Sequence, residues 1–171
     1  MITIRILKKS DNRGSFSCGE IALDYYFQKF AGQNQFKHFV GTTYISTDEK
    51  NIFGFVTVSA GSLMRDNLPK TIQKKFPNYP LPILRVTRIG VNIKYQNQGV
   101  GKELMATAFR LAIEQKDRFG CVGVVVDAKI DAIDFYKKLG FVEIEVERGL
   151  SATYSMPTPM FMVIQTIEKA L

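Results

Sequence analysis

The chain has 171 residues, of which 46% are hydrophobic and 23% charged, so neither a disordered nor a fibrous protein is indicated. Lysine and arginine number 23 against 16 aspartates and glutamates, and the formal net charge of +7 favours a polyanionic partner. The length predicts a single domain over residues 1–171. No apolar run could span a membrane, and the start, MITIRILKKS, is unlike a signal peptide, so we expect a cytoplasmic protein with no membrane partner.

The first predicted helix has a start signal. Ser17 and Glu20 have the spacing of a capping box, and Phe16 and Ile21 have the spacing of a hydrophobic staple. These two motifs together predict a helix over residues 18–32, which packs its apolar face on a sheet.

The other elements follow from alternation, glycines and prolines. Strands are predicted over residues 2–8, 39–46, 52–60, 83–93, 121–128, 141–146 and the apolar run after Pro159, and helices over residues 68–76, 99–116 and 131–139. Prolines exclude residues 76–82 from a helix or a central strand. Gly140 is predicted to end the helix over residues 131–139 as a left-handed C-cap. The second half alternates strand and helix, which predicts an α/β fold with a mixed sheet of six to seven strands and helices on both faces.

Cysteine and histidine usage restricts the chemistry. Cys18 and Cys121 lie far apart and outside any C-x-x-C pair, so we expect reduced thiols and neither a disulfide framework nor a zinc knuckle. His38 is the single histidine, which excludes sites that need two histidine ligands, and we interpret it as a surface residue. The sequence therefore predicts no metal site.

The most informative segment runs from Arg88 to Leu104 as a strand, a polar turn with glycines and a helix. A helix start carries unpaired amides and the positive end of the helix dipole, and glycines let phosphate oxygens come close. The turn therefore predicts a diphosphate ligand, to which Lys102 adds a cation, although two glycines would equally suit a helix start without a ligand. Gln96 and Glu103 exclude a Walker loop, and Leu104 excludes a Rossmann fingerprint.

Two motifs together resemble the GNAT family of N-acetyltransferases. The segment QNQGVG (residues 96–101) looks like the Q/R-x-x-G-x-G/A motif with which that family holds the pyrophosphate of acetyl-coenzyme A (acetyl-CoA). The segment AIDFYKKLGF (residues 132–141) is similar to the family's A-x-x-F-Y-x-x-x-G-F stretch. The resemblance implies the GNAT acyl-CoA N-acyltransferase fold, with acetyl-CoA as cosubstrate, no metal, and cofactor contacts at Ile89, Gly90, Val91, Gln96, Gln98, Gly99, Val100, Gly101 and Lys102.

The resemblance also implies a mechanism in which positioning dominates. The Val91 amide would face the thioester oxygen where two strands, around residues 89–91 and 124–126, splay apart. Tyr136 is the candidate catalytic residue, because a phenol with a pKa of about 10 can protonate a departing thiolate. The alternative is that Tyr136 packs the helix onto the sheet, which from sequence alone is the commoner role of a tyrosine beside a phenylalanine. No general base is evident, and water could take the proton of an α-amine.

Further similarities narrow the resemblance to the GNAT toxins of bacterial toxin–antitoxin modules. They lie in residues 16–19, 33–35, 54–55, 59–62 and 88–91. Members of this subgroup acetylate the amino group of an aminoacyl-tRNA, block translation and are neutralised by a ribbon-helix-helix antitoxin. We therefore expect aminoacyl-tRNA and such an antitoxin as partners, while a homodimer is left open.

Four basic residues flank the motif in sequence and are candidate tRNA phosphate contacts, namely Lys37, Arg85, Arg88 and Lys94. The alternatives are that Arg88 pairs with a carboxylate and that the others are simply solvated.

Two other functions stay open. One is a GNAT enzyme that acts on a small amine, a polyamine or a protein N-terminus, and an acidic pocket would indicate it. The other is a CoA-binding or RNA-binding module without catalysis, which would not need Tyr136 or the glycines. A ribbon-helix-helix gene immediately upstream would favour the toxin.

Overall fold

The computed structural model describes residues 1–145 and 156–171. The strands are β1 (Thr3–Ile6), β2 (Thr42–Thr47), β3 (Ile52–Leu63), β4 (Leu81–Val91), β5 (Gly123–Ala128), β6 (Val142–Glu143) and β7 (Thr158–Val163). The helices are α1 (Ile21–Tyr25), α2 (Ala31–Gln33), α3 (Lys70–Gln73), α4 (Val100–Arg118), α5 (Ile133–Leu139) and α6 (Ile164–Ala170). The strand order β1-β2-β3-β4-β5-β7-β6 confirms the predicted mixed sheet, with seven strands.

The chain divides into two compact units. The first comprises Met1–Ser59 and Val86–Ala108, and the second comprises Ala60–Arg85 and Phe109–Leu171. The first core contains Leu7, Phe16, Phe27, Ala31, Ile45 and Phe55, and the second contains Leu63, Leu68, Leu81, Ile83, Val125 and Phe161. The single domain over residues 1–171 stays a prediction. None of the helices in the described residues is long and apolar enough to cross a membrane.

Helices cover both faces of the sheet within the first unit. A Cβ on Gly54 would meet Val100 and Leu104 of α4. The next residue, Phe55, points to the opposite face because side chains alternate along a strand. There it belongs to the core against which Leu23 of α1 packs. The predicted arrangement of helices on both faces is therefore confirmed for β3.

The start of α1 differs from its prediction. The Ser17 hydroxyl donates to the Asp24 carboxylate at 3.0 Å, and Glu20 rather than Ser17 is the N-cap residue, so the predicted capping box is wrong. The hydrophobic staple is also wrong, because Ile21 is 89% exposed whereas Phe16 is buried. The physical reason is Asp24, whose carboxylate draws the preceding loop back onto the helix.

The helical run also ends later than predicted, at His38 rather than at residue 32. A π-helical turn, Tyr26–Phe30, follows α1, and a second one, Asn34–His38, follows α2. A π-helical turn adds a residue to each turn, so an i+4 spacing no longer keeps side chains on one face. Phe30 is accordingly 41% exposed.

The proline segment excludes fewer residues from a strand than predicted. Pro82 lies in β4, a central strand, although residues 76–82 had been excluded from one. A proline is tolerated near the first residue of a strand. Its carbonyl still accepts a hydrogen bond, at 2.8 Å, from the amide of Val122.

The C-terminal strands differ in extent and place. β6 has two residues, and the predicted end of this strand, Val146, lies outside the described residues. The apolar run after Pro159 is a strand only to Val163, after which the chain turns into α6. The resulting β7 lies between β5 and β6, so it does not form the edge of the sheet. Gly140 ends α5 with a φ of +111°, as its C-cap prediction requires.

Candidate functional site

The turn between β4 and α4 presents backbone amides that the helix itself cannot satisfy. The amide of Glu103 donates to Gly99 O at 3.1 Å, which is the first hydrogen bond of α4. The amides of Val100, Gly101 and Lys102 precede it and have no carbonyl of the helix to bind. They also stand at the positive end of the dipole of a 19-residue helix. This arrangement favours an anion.

The space in front of the turn is open. Asn97 and Gly99 both have left-handed φ values, +63° and +88°. A Cβ built on Gly99 would meet no atom within 4 Å, and Gln98 and Lys102 are exposed. The turn therefore fits the pyrophosphate of acetyl-CoA, because oxygens can approach these amides without displacing protein atoms.

Backbone hydrogen bonds hold the other end of the turn. The amide of Asn92 donates to Phe53 O, and the amide of Ile93 donates to Ser17 O, each at 2.8 Å. The side-chain oxygen of Asn92 also accepts from the amide of Lys94 at 3.1 Å. The turn is thus fixed to β3 and to an N-terminal loop before any ligand binds.

The side chain of Gln96 bonds to protein. Its Nε2 donates to Cys18 O at 2.9 Å and to Val91 O at 3.1 Å, which uses both amide hydrogens. A cofactor contact of Gln96, as predicted, would therefore run through its backbone. Sequence reasoning missed this role because Cys18 lies 78 residues away.

The loop that receives these bonds is also tied to α1. Asp24 accepts from the Ser17 hydroxyl at 3.0 Å and from the Cys18 amide at 2.7 Å. Sequence reasoning missed Asp24 as well, since Ser17 and Glu20 carried a stronger capping pattern. The loop at Ser17 and Cys18 consequently links α1 with the turn.

Arg88 does not pair with a carboxylate among the described residues. Its guanidinium lies over the ring of Tyr26, 4.8 Å from the centroid, and its Nη1 donates to Thr87 O at 2.8 Å. Such a stack orients the guanidinium while its charge stays exposed to solvent. Lys37 and Lys94 are exposed, in the first unit like Arg88.

Two predicted site residues lie in the second unit. Arg85 forms an ion pair with Asp127 at 3.4 Å. Tyr136 of α5 is 5% exposed, and its ring contacts Phe135 and Phe141 edge to face. Burial raises the pKa of Tyr136 from 10 to about 12. The hydroxyl is therefore fully protonated at neutral pH, as a general acid must be, and the ring also packs as a core aromatic.

The family model of the acetyltransferase (GNAT) domain matches residues 40–143. This chain therefore belongs to the GNAT family of acetyltransferases.

One related protein and two solved structures are similar to this chain over most of its length. A "tRNA-acetylating toxin" of Mycobacterium tuberculosis (strain ATCC 25618 / H37Rv) is 29% identical over 140 residues, 80% of this chain and 82% of that protein. The structure of AtaT complexed with acetyl-methionyl-tRNAfMet is 27% identical, with 99% of this chain and 98% of that chain covered and a TM-score of 0.84. The structure of AtaTR bound with AcCoA is 28% identical, with 98% and 96% covered and a TM-score of 0.78.

Proposed function

We propose that this chain transfers the acetyl group of acetyl-CoA to the α-amino group of an aminoacyl-tRNA and thereby blocks translation. The observation that carries the proposal is the likeness to AtaT with acetyl-methionyl-tRNAfMet over 99% of this chain. The relative named a tRNA-acetylating toxin supports the same acceptor. The formal charge of +7 is consistent with a polyanionic substrate.

Acetyl-CoA supplies the acetyl group as a reactive thioester. The amides of Gly99, Val100, Gly101 and Lys102 hold the pyrophosphate, and the side chain of Lys102 adds a positive charge. Further contacts with the cofactor come from Ile89, Gly90, Val91, Gln96 and Gln98. The Val91 amide faces the thioester oxygen, and the bond from Gln96 to Val91 O fixes the orientation of the following peptide plane.

Tyr136 donates its hydroxyl proton to the departing sulfur. A phenol with a pKa of about 12 is a weaker acid than a thiol in water, whose pKa is about 8.5. Burial disfavours a thiolate as much as a phenolate, so the transfer is less uphill in an apolar environment than these values suggest. The acceptor amine needs no strong base, because an α-amino group with a pKa of about 8 is partly neutral at pH 7.

The four candidate contacts with tRNA differ in whether the basic side chain is available to bind a phosphate. Lys37 and Lys94 are exposed, and Arg88 presents its stacked guanidinium. Arg85 already pairs with Asp127, so it would bind a phosphate only by exchanging partners. We rank Arg85 last among the four for this reason.

A toxin of this kind needs an inhibitor in the cell that makes it. We therefore propose a ribbon-helix-helix antitoxin as a partner, and a cytoplasmic location, where charged tRNA is found. Independence from metal stays a prediction, and a homodimer stays open.

The test supplies radiolabelled acetyl-CoA with charged tRNA, deacylated tRNA, free amino acids and polyamines in parallel. Label is expected only on charged tRNA, and mild alkali should release it as an N-acetyl amino acid. Activity should also fall steeply with salt, because phosphate contacts release counterions. Equal labelling of polyamines or free amines would replace this proposal with a small-amine acetyltransferase, and absence of all labelling would indicate a binding module.

A further inference from the structure

Gly54 of β3 lies against the first turn of α4. A Cβ at this position would lie 2.9 Å from Gly90 O and 3.0 Å from both Val100 Cγ1 and Leu104 Cδ1. Gly90 O is a backbone atom and Leu104 is fully buried, so neither gives way at low cost. Val100 is the first residue of the helix. A side chain at position 54 would consequently push on the helix start.

The residue before Gly54 supports the other end of the same turn. Phe53 O accepts from the amide of Asn92 at 2.8 Å, and the Phe53 ring packs edge to face on Tyr95, with ring centroids 4.4 Å apart. Two consecutive residues of β3 therefore contact the turn, at its entry and at its exit into α4.

We propose that Gly54 is a positioning residue for acetyl-CoA. Because it has no side chain, the first turn of α4 lies close on the sheet, and this distance sets where the amides of residues 99–102 point. Hydrogen bonds weaken steeply with angle and distance, so a small shift of these amides weakens several bonds to the pyrophosphate together. The ligand in this proposal is the cofactor of the proposed function, but the role of Gly54 does not depend on the acceptor.

Gly90 provides an internal contrast. A Cβ there would lie 2.9 Å from Phe55 Cε1 and 3.1 Å from Leu23 Cδ2, which are side-chain atoms of the first core and of α1. The missing side chains of the two glycines thus leave room for different neighbours. Gly54 leaves room for α4, whereas Gly90 leaves room for Phe55 and Leu23.

The experiment measures acetyl-CoA binding by calorimetry in Gly54→Ala, Val100→Ala and the double variant. G54A is expected to raise the Kd by roughly tenfold or more. V100A keeps the backbone amide and removes one of the three atoms that the new methyl group would meet, so the contacts with Gly90 O and Leu104 Cδ1 remain. The double variant should therefore regain part of the affinity, which appears as coupling in a double-mutant cycle. Ile45→Val is the control, since Ile45 is fully buried in the same unit and the change removes one buried methyl group.

Two outcomes would overturn the proposal. One is a folded G54A with the affinity of the original chain, and the other is a loss no larger than in I45V. If G54A does not fold alone, the double variant is compared with V100A. A residual rise in Kd is expected, because the contacts with Gly90 O and Leu104 Cδ1 remain in the double variant, and equal Kd values overturn the proposal as well. Acetylation of charged tRNA is assayed separately with the original chain. Weak cofactor binding in G54A together with unlabelled tRNA in the original chain would support the role of Gly54 and refute the proposed acceptor.

Discussion

The β4–α4 turn and the surroundings of Tyr136 offer two contrasting kinds of chemistry. The turn uses backbone amides in open, exposed positions, and side chains such as that of Gln96 serve to hold its shape. Tyr136 offers one phenol in an apolar environment of aromatic rings. A backbone site is therefore sensitive to shape and added charge, whereas a single buried side chain is sensitive to the loss of one atom. Each of the following changes tests one side of this contrast.

The largest effect is expected for Tyr136→Phe. The ring and its contacts with Phe135 and Phe141 are kept, while the proton for the departing sulfur is lost. We expect kcat to fall by roughly 10²–10⁴-fold, the range typical of general acid catalysis, with the Kd for acetyl-CoA little changed. Steady-state kinetics and calorimetry measure the two values. An unchanged kcat would leave Tyr136 with packing alone.

The second effect is a loss of stability at alkaline pH. Burial raises the pKa of Tyr136 to about 12, whereas an unfolded tyrosine titrates near 10. The stability from the neutral phenol is thus fully present below pH 10 and is lost as the pH rises toward 12. The loss attributable to Tyr136 reaches at most about 3 kcal/mol.

Urea unfolding between pH 8 and 11.5 measures this loss of stability. Tyr136→Phe is the reference, because all other groups titrate in both proteins and only the Tyr136 hydroxyl is missing from the variant. Parallel pH profiles of the two proteins would contradict the burial of the hydroxyl.

The third effect concerns the open space at the turn. Gly99→Asp puts a carboxylate where we propose that the pyrophosphate binds, so the Kd for acetyl-CoA should rise by roughly tenfold or more through repulsion and loss of the favourable anion site. Gly99→Asn is the matched control, since asparagine has the size of aspartate and a similar tolerance of the left-handed φ of +88° but no charge. Equal affinities in the two variants would show that backbone strain, and not charge, accounts for the loss.

The smallest effect is expected for Gln96→Leu. The change removes the two hydrogen bonds to Cys18 O and Val91 O, at a cost of about 1–3 kcal/mol in stability. Cofactor affinity should fall along with stability, because the turn loses two hydrogen bonds that hold its shape. Gln98→Leu, at an exposed position of the same turn, is the control in thermal unfolding. Identical melting temperatures for the two variants would mean that these hydrogen bonds do not hold the turn.

The sequence predicted the parts of this fold that depend on periodicity and on glycine. Alternation located the sheet strands, and the left-handed cap at Gly140 followed from its place after an amphipathic run. The start of α4 could be predicted as an anion site because the unpaired amides and the glycines that favour an anion lie in consecutive residues. Local patterns suffice where the interactions themselves are local.

The sequence could not predict which of two local partners Ser17 binds, nor the interactions between distant residues. Ser17 and Glu20 formed a plausible capping box, but Asp24 competes for the Ser17 hydroxyl, and both patterns have helical spacing. The stacking of Arg88 on Tyr26 joins a strand to a helix, and nothing in either segment indicates it. The contact of Gly54 with α4 is likewise visible only once both elements are in place.

The bonds between the Ser17–Cys18 loop and the turn have a consequence for the order of folding. Cys18 O and Gln96 are 78 residues apart, so the turn takes its final shape only after a long loop has closed. A nascent chain on the ribosome therefore cannot assemble its cofactor turn until the segment around Gln96 has emerged and docked on the loop. In native-state hydrogen exchange, the amides of Cys18 and Ile93 should open together, as members of one cooperative unit. The enzyme would thus remain inactive through the first half of its own synthesis.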